Sequence, residues 1–455
     1  MASCISRKHS GGRLDYRLEN VLGIAQGRLE RQTILIMNGR IQRDPARQAS
    51  RAQTKIIDCG SKLVLPLLTD VHTHLDFVAN SDAALARARS MGVGQAVGGL
   101  CGFSHSIHPP YLDGSDPAGF LRGASDCSAA RQGPRLAHFL GLNSLLLASN
   151  AKDITSVIKA TEEALAERRY IGISVGVFYE PIRSLAREAL RELMTTLVRR
   201  FQCLPFAYHV RSQRKATALD AIGEVFSFHE GTNSHCHISH LKFGGCSGDE
   251  AEALFERFMC IVQKRSFQIT WDAYPFGTSA TALRSLLTRN TAATEDDRHD
   301  ADLLVQRDDR WLSLSEIRSA EGCCLQTVVE RIVAENPHAV ALRRSMDDGD
   351  AMMICRHKRT LIGSDSFGSS FIHPRQQDTF PRLLRSSRSE ADLVQWADRF
   401  CTLPARTFAG LETYSIEDGN LANLVLVNLQ PSSLDDGFSG TGHSDLMFFD
   451  GTLQP

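Results

Sequence analysis

Six side chains able to bind or polarise a metal ion stand out, each at the end of its own apolar run. The first two lie in Val64-Leu65-Pro66-Leu67-Leu68-Thr69-Asp70-Val71-His72-Thr73-His74-Leu75-Asp76. Residues two apart on a strand point the same way, so His72 and His74 project together as two imidazole ligands for one cation. Cys101 follows Gly98-Gly99-Leu100, His209 sits in Tyr208-His209-Val210-Arg211, His240 closes His237-Ile238-Ser239-His240, and Asp365 ends Ile362-Gly363-Ser364-Asp365. Each has a plain structural reading alone: a small buried thiol, a satisfied core histidine, a helix-capping aspartate. Their shared placement argues for chemistry. A thiol with imidazoles suits Zn²⁺ rather than Mg²⁺.

Such convergence needs a scaffold that brings strand ends together. Apolar strands are expected at Leu63–Val71, Gln95–Gly99, Ala137–Leu142, Tyr170–Val175, Phe206–Val210, Cys236–Leu241, Phe267–Ala273 and Thr360–Ser364, with amphipathic helices such as 154–168 and 182–200 between them. Eight strand–helix units predict a (β/α)8 TIM-like barrel, whose site lies at the carboxyl ends of the strands. The spacer between Asp272 and Arg359 is too long for a simple crossover. It reads as an insertion, about 284–358, with a charged, solvated stretch from Glu295 to Arg310 and helices near 314–321 and 325–335. Short strands flank the barrel, including a hairpin turning at Asn38-Gly39. Residues 1–62 and 410–455 are therefore expected to form one small β-sandwich domain beside a barrel of 63–409.

Other histidines carry less. His105 and His108 read as loop residues, and His237, an odd number of positions from His240, reads as barrel packing. The chain has 455 residues, 42% of them hydrophobic, which is enough for a large core. A net charge of −1 gives no footprint for nucleic acid or an anionic membrane. No apolar stretch is long enough to span a bilayer. The 12 cysteines are scattered without Cys-x-x-Cys and read as reduced thiols, so a cytoplasmic location is expected. The start, Met1 to Arg13, has no apolar signal core, although its lack of acidic residues keeps a transit-peptide reading open.

Longer stretches resemble the amidohydrolase superfamily and, within it, the N-acyl-D-amino-acid deacylase (D-aminoacylase) family. These are Pro66…Asp70-Val71-His72-Thr73-His74-Leu75-Asp76, Cys101-Gly102-Phe103-Ser104, Gly172 to Pro181, His209-Val210-Arg211-Ser212, Ile238-Ser239-His240-Leu241-Lys242, Asp272-Ala273-Tyr274-Pro275-Phe276, Gly363-Ser364-Asp365 with His373-Pro374-Arg375, and Pro404-Ala405-Arg406 with Gly410-Leu411. The resemblance implies a tightly held zinc on Cys101, His209 and His240, and a second, weaker position on His72, His74 and Asp365. It implies Asp365 as general base and acid, and Arg375, Lys242 and Tyr274 as the residues meeting a substrate α-carboxylate. Arg211 is expected to orient His209. The substrate is then a small N-acyl amino acid, and oligomeric state stays open.

Some positions depart from that pattern: Leu67-Leu68, Leu100, Gly141 to Leu146, Gln213, Ser366 and Asn423. None is a metal ligand. Two rival readings remain. A cyclic-amide hydrolase of hydantoinase or dihydropyrimidinase type would want a lysine on the fourth strand, and Gly172-Ile173-Ser174-Val175-Gly176 has none. A non-catalytic scaffold would be expected to have lost ligands, and all six are present.

Overall fold

The computed structural model describes residues 14–42, 54–77, 82–104, 133–149, 151, 153–167, 169–283, 303–307, 310–336, 339–367, 373–431 and 438–454. His105, His108, the first thirteen residues and much of the charged stretch 295–310 lie outside them.

Eight strands, all parallel to their neighbours, form the central sheet: Leu68–Asp70, Val93–Gly98, Arg135–Gly141, Gly172–Gly176, Pro205–His209, His235–Ile238, Gln268–Ala273 and Thr360–Ile362. They are taken below as the first to eighth barrel strands. The first and eighth meet where Val71 N–H donates to Ile362 O at 3.3 Å. Sheet and helices together are a TIM-like barrel. Helices such as Ile154–Glu167, Arg187–Arg200 and Asp249–Gln263 turn their apolar stripes onto the strands, burying Leu190, Leu193, Met194 and Leu197 in one case and Leu254, Phe255 and Phe258 in another.

The expected strand Leu63–Val71 is two strands in two sheets. Leu63–Pro66 pairs antiparallel with Leu424–Val427 in the small domain, and only Leu68–Asp70 enters the barrel. Pro66 has no N–H to continue a ladder, and Leu67 N–H turns to Asn423 O at 3.2 Å. The other seven expected strands appear, with ends shifted by a few residues.

The two terminal segments meet in one eight-stranded sheet, with Leu63–Pro66 seated between Asp15–Ala25 and Leu424–Val427. The hairpin Arg28–Met37/Arg40–Gln42 turns at Asn38 and Gly39, both at positive φ, as a two-residue turn of this twist requires. The insertion carries a four-stranded antiparallel sheet and the helices Leu314–Glu321 and Leu325–Glu335 around a separate apolar core. Within the charged stretch, Leu304–Arg307 and Arg310–Ser313 form a hairpin rather than a plain solvated loop. Val305 is buried on its inner side, so a single apolar position holds the strand down. Among the described residues, no helix is long and apolar enough to cross a membrane.

Candidate metal centre

The carboxyl ends of the barrel strands bring five of the six expected ligands together. One ring nitrogen of His72, one of His74 and the Cys101 sulfur lie within 4.8 Å of one another, as do ligand atoms of His72, His240 and Asp365. Cys101 Sγ is 3.4 Å from His240 Nε2 and 3.5 Å from His72 Nε2. Asp365 Oδ1 is 3.3 Å from His74 Nε2 and 3.7 Å from His72 Nε2. These contacts run across the two groupings that the resemblance implies, because Cys101 touches both His72 and His240. His209 stands beside them, its ring 4.7 Å from that of His240 and stacked on Phe178, but its nitrogens join neither close set. His209 Nδ1 faces Val210 O at 3.1 Å, which leaves Nε2 as the nitrogen able to bind.

Local backbone explains the convergence. Cys101, His240 and Asp365 all have positive φ, 55°, 35° and 49°. Residues with a Cβ avoid that region, and when they occupy it the surrounding structure must hold them there. Each stands just past the end of its strand, so the turn aims the side chain across the barrel mouth rather than along it. Asp365 N–H donates to His72 O at 2.7 Å, tying the eighth strand end to the first. Gly363 permits that approach, since a Cβ there would lie 2.3 Å from His72 Cβ.

Beneath the ligands lies a polar layer that sequence reasoning missed. Asp272 is fully buried. Its Oδ2 sits 3.0 Å from His72 Nδ1 and 2.9 Å from His237 Nε2, and its Oδ1 accepts from His240 N–H at 3.0 Å. Burial would raise this carboxyl, but the two imidazoles hold it well below the usual carboxylate range. His72 therefore presents Nδ1–H to Asp272 and keeps Nε2 for the pocket, an arrangement common to metal-binding histidines. His237, expected as packing, does lie against Phe408, but it is also a hydrogen-bond partner of Asp272. Asp70 clamps the first strand to the eighth, accepting from His72 N–H at 3.2 Å and from Ser364 N–H at 2.9 Å. Burial pushes the Asp70 carboxyl up to about 7.

The charges of the centre follow from proximity. Burial alone would push the Cys101 thiol up, but the His240 and His72 imidazoles more than offset it and hold it well below its ordinary value. Burial likewise opposes ionisation of Asp365, and the Arg375 guanidinium and His74 hold it well below the usual range. His209 is pushed down to about 4, first by burial and then by His240.

The expected carboxylate-binding residues stand next to Asp365. Arg375, fully buried, places Nη1 2.9 Å from Asp365 Oδ2 and 2.7 Å from Tyr274 Oη, and Nη2 3.2 Å from Ala280 O on the strand Thr278–Ala282. Its fork is thus already shared, and Nε is the guanidinium nitrogen without a partner among the described residues. Lys242 Nζ donates to the same Tyr274 oxygen. Burial, then the neighbouring Arg375, pulls Lys242 down to about 7. Arg211, expected to orient His209, instead makes a two-pronged ion pair with Glu224 on helix Ala218–Ser227. The strand continues too briefly to keep it on the His209 face. Asn143, in the stretch Gly141 to Leu146, pins the end of the fourth strand and the loop after it: its amide donates to Gly176 O at 3.0 Å and to Tyr179 O at 3.1 Å, and accepts from Gly176 N–H at 2.8 Å.

The donor set of one thiol, imidazoles and one carboxylate, buried and mutually close, fits a borderline-soft divalent ion such as Zn²⁺.

No family model matches the sequence, and no curated protein matches it. Comparison with solved structures does find similar chains. N-acyl-D-glutamate deacylase from Bordetella bronchiseptica, solved with zinc and a phosphonate mimic of the tetrahedral intermediate, superposes with a TM-score of 0.74 at 22% identity, covering 97% of this chain and 96% of that one. A D-aminoacylase variant in complex with copper chloride gives 0.75, with the same identity and coverage. A D-aminoacylase structure concerned with the role of its binuclear metal centre also gives 0.75. The hydrolase complex of Methylorubrum extorquens that includes a formyltransferase is more distant, at 0.55 and 15% identity over 97% of this chain and 88% of that one. These likenesses establish a shared fold, a TIM-like barrel with an appended β-rich domain.

Proposed function

We propose that this chain is a metal-dependent hydrolase of linear amides, releasing a D-amino acid and a carboxylate from an N-acyl-D-amino acid. The observation that supports it best is one buried cluster of two unlike parts: a thiol, imidazoles and a carboxylate, joined through the Asp365–Arg375 ion pair to Arg375, Lys242 and Tyr274. The structures this chain resembles in fold include deacylases of such substrates.

Cys101, His209 and His240 would hold the tighter ion, and His72, His74 and Asp365 a second, weaker one. A divalent ion in such a donor set supplies Lewis acidity, which makes water a nucleophile near neutral pH and polarises a carbonyl. Asp365, kept ionised by Arg375, takes the proton from the attacking water and passes it to the departing amine nitrogen. Arg375 and Lys242 attract and orient the free α-carboxylate of the substrate, and the Tyr274 hydroxyl between them fixes their spacing. Asp272 holds His72 in the correct ring orientation.

A panel of N-acetyl-D- and N-acetyl-L-amino acids, assayed with added zinc and again after chelation, tests this reading. The expected result is turnover of D-substrates that chelation abolishes. Absence of turnover on the whole panel, or turnover indifferent to chelation, contradicts it.

A further inference from the structure

The histidines of the centre differ in what stands behind them. A ring that gives Nε2 to a cation carries its hydrogen on Nδ1 and needs an acceptor there. His72 Nδ1 faces a carboxylate oxygen of Asp272 at 3.0 Å, and His209 Nδ1 faces the carbonyl of Val210 at 3.1 Å. Both are acceptors. His240 Nδ1 instead faces Gln213 Nε2 at 2.9 Å, an amide nitrogen that can only donate. The amide is not easily turned over. The same nitrogen lies 3.0 Å from His240 O, which also requires a donor, so reversal would set Gln213 Oε1 against that carbonyl.

We propose that Gln213 is a positioning residue that limits how tightly this pocket holds its metal, by offering a donor where His240 needs an acceptor. The inference rests on the metal-centre reading above and deepens it. Ligation through His240 Nε2 brings two hydrogens face to face at Nδ1, unless the Gln213 side chain leaves and gives up its bond to His240 O. Either course weakens His240 as a ligand. Gln213 is only half-buried and belongs to none of the close ligand sets, so it can be changed without removing a donor from the centre.

The test is zinc affinity of the full chain, measured by competition with a chromophoric chelator for the parent, Gln213→Ala and Gln213→Glu. Circular dichroism confirms that each is folded. Alanine removes the opposing donor without adding charge, and glutamate supplies the missing acceptor. The expected order is glutamate tightest, alanine next, parent weakest. Glutamate is expected to bind at least about tenfold tighter than the parent, the scale on which a partner of a ligating histidine acts. A residue that merely braced the loop would give the opposite sign, with both variants weaker. If the parent binds zinc and alanine binds no tighter, this inference is overturned and the metal-centre reading stands. The same holds if glutamate alone tightens, since added charge would then explain it. If the parent binds no zinc, both fail.

Discussion

The two parts of the cluster, a ligand wall and a cationic wall, are built by different means. The ligand wall stands on strand ends. Cys101, His240 and Asp365 are held at positive φ, and Asp272 and Asp70 lock the backbone and the His72 ring from below. The cationic wall is assembled from three distant pieces: the first residue of helix Arg375–Arg385, a lysine past the sixth strand, and a tyrosine just past the seventh, with the carbonyl of Ala280 as an outer stop. The first wall is a matter of angle and reach, as metal coordination requires. The second is a matter of charge, shared among groups that restrain one another. Damage to the first should therefore appear in metal content, and damage to the second in substrate binding.

The largest effect belongs to Asp365, the residue that joins the walls. Asp365→Ala is expected to lower kcat by roughly 10²–10⁴-fold, the usual contribution of a general acid–base group. Zinc at the tighter position proposed for Cys101, His209 and His240 should remain, as elemental analysis of the purified variant would show. Loss of all zinc would mean that Asp365 serves the ligand wall alone. Next comes Asp272→Ala, which leaves His72 and His237 without their carboxylate. Zinc affinity should fall by about 10–100-fold, and stability by about 1–3 kcal/mol in a denaturant titration, because buried donors of His72, His237 and the His240 N–H lose their acceptor.

Arg375→Lys sharpens the contrast. A lysine keeps the charge but loses the planar fork. KM for an N-acyl amino acid should rise about tenfold with zinc content unchanged, and a fall in zinc would erase the distinction between the walls. The smallest effect is expected far from the pocket, at Arg135, which reaches from the third barrel strand to Glu412 and Asp450. These groups are about one-third to one-half exposed, so Arg135→Ala should cost under about 1 kcal/mol and leave both zinc and KM alone.

The sequence made the ligand wall readable to the extent that it is local. His72 and His74 declare themselves by their His-x-His spacing, although the first strand ends at Asp70 and only His74 lies in a strand, and Cys101, His240 and Asp365 by following apolar runs. What sequence could not convey was which donors approach one another. That depends on turns at positive φ in residues that carry a Cβ, for which no local rule asks. Asp272 escaped notice because its partners, His72 and His237, come from two other strands. The division of 63–71 between two sheets was hidden for a related reason. Its apolar run is interrupted at Pro66 alone, and the pairing of Leu63–Pro66 with Leu424–Val427 and Asp15–Ala25 sets it apart from the barrel. Arg211 was misplaced because parity holds only while a strand lasts, and Pro205–His209 ends before it. The barrel itself was plain in the alternation of strands and helices, since that pattern is repeated and each unit is local.

The central claim is that the Cys101 thiol and the histidines meet on one ion. X-ray absorption at the zinc edge, on the zinc-loaded parent and on Cys101→Ala, tests it most directly. A sulfur neighbour at about 2.3 Å beside nitrogen and oxygen neighbours at about 2.0–2.2 Å is expected in the parent, and no sulfur in the variant. A parent spectrum with only nitrogen and oxygen neighbours, or a sulfur signal that survives removal of Cys101, would contradict it.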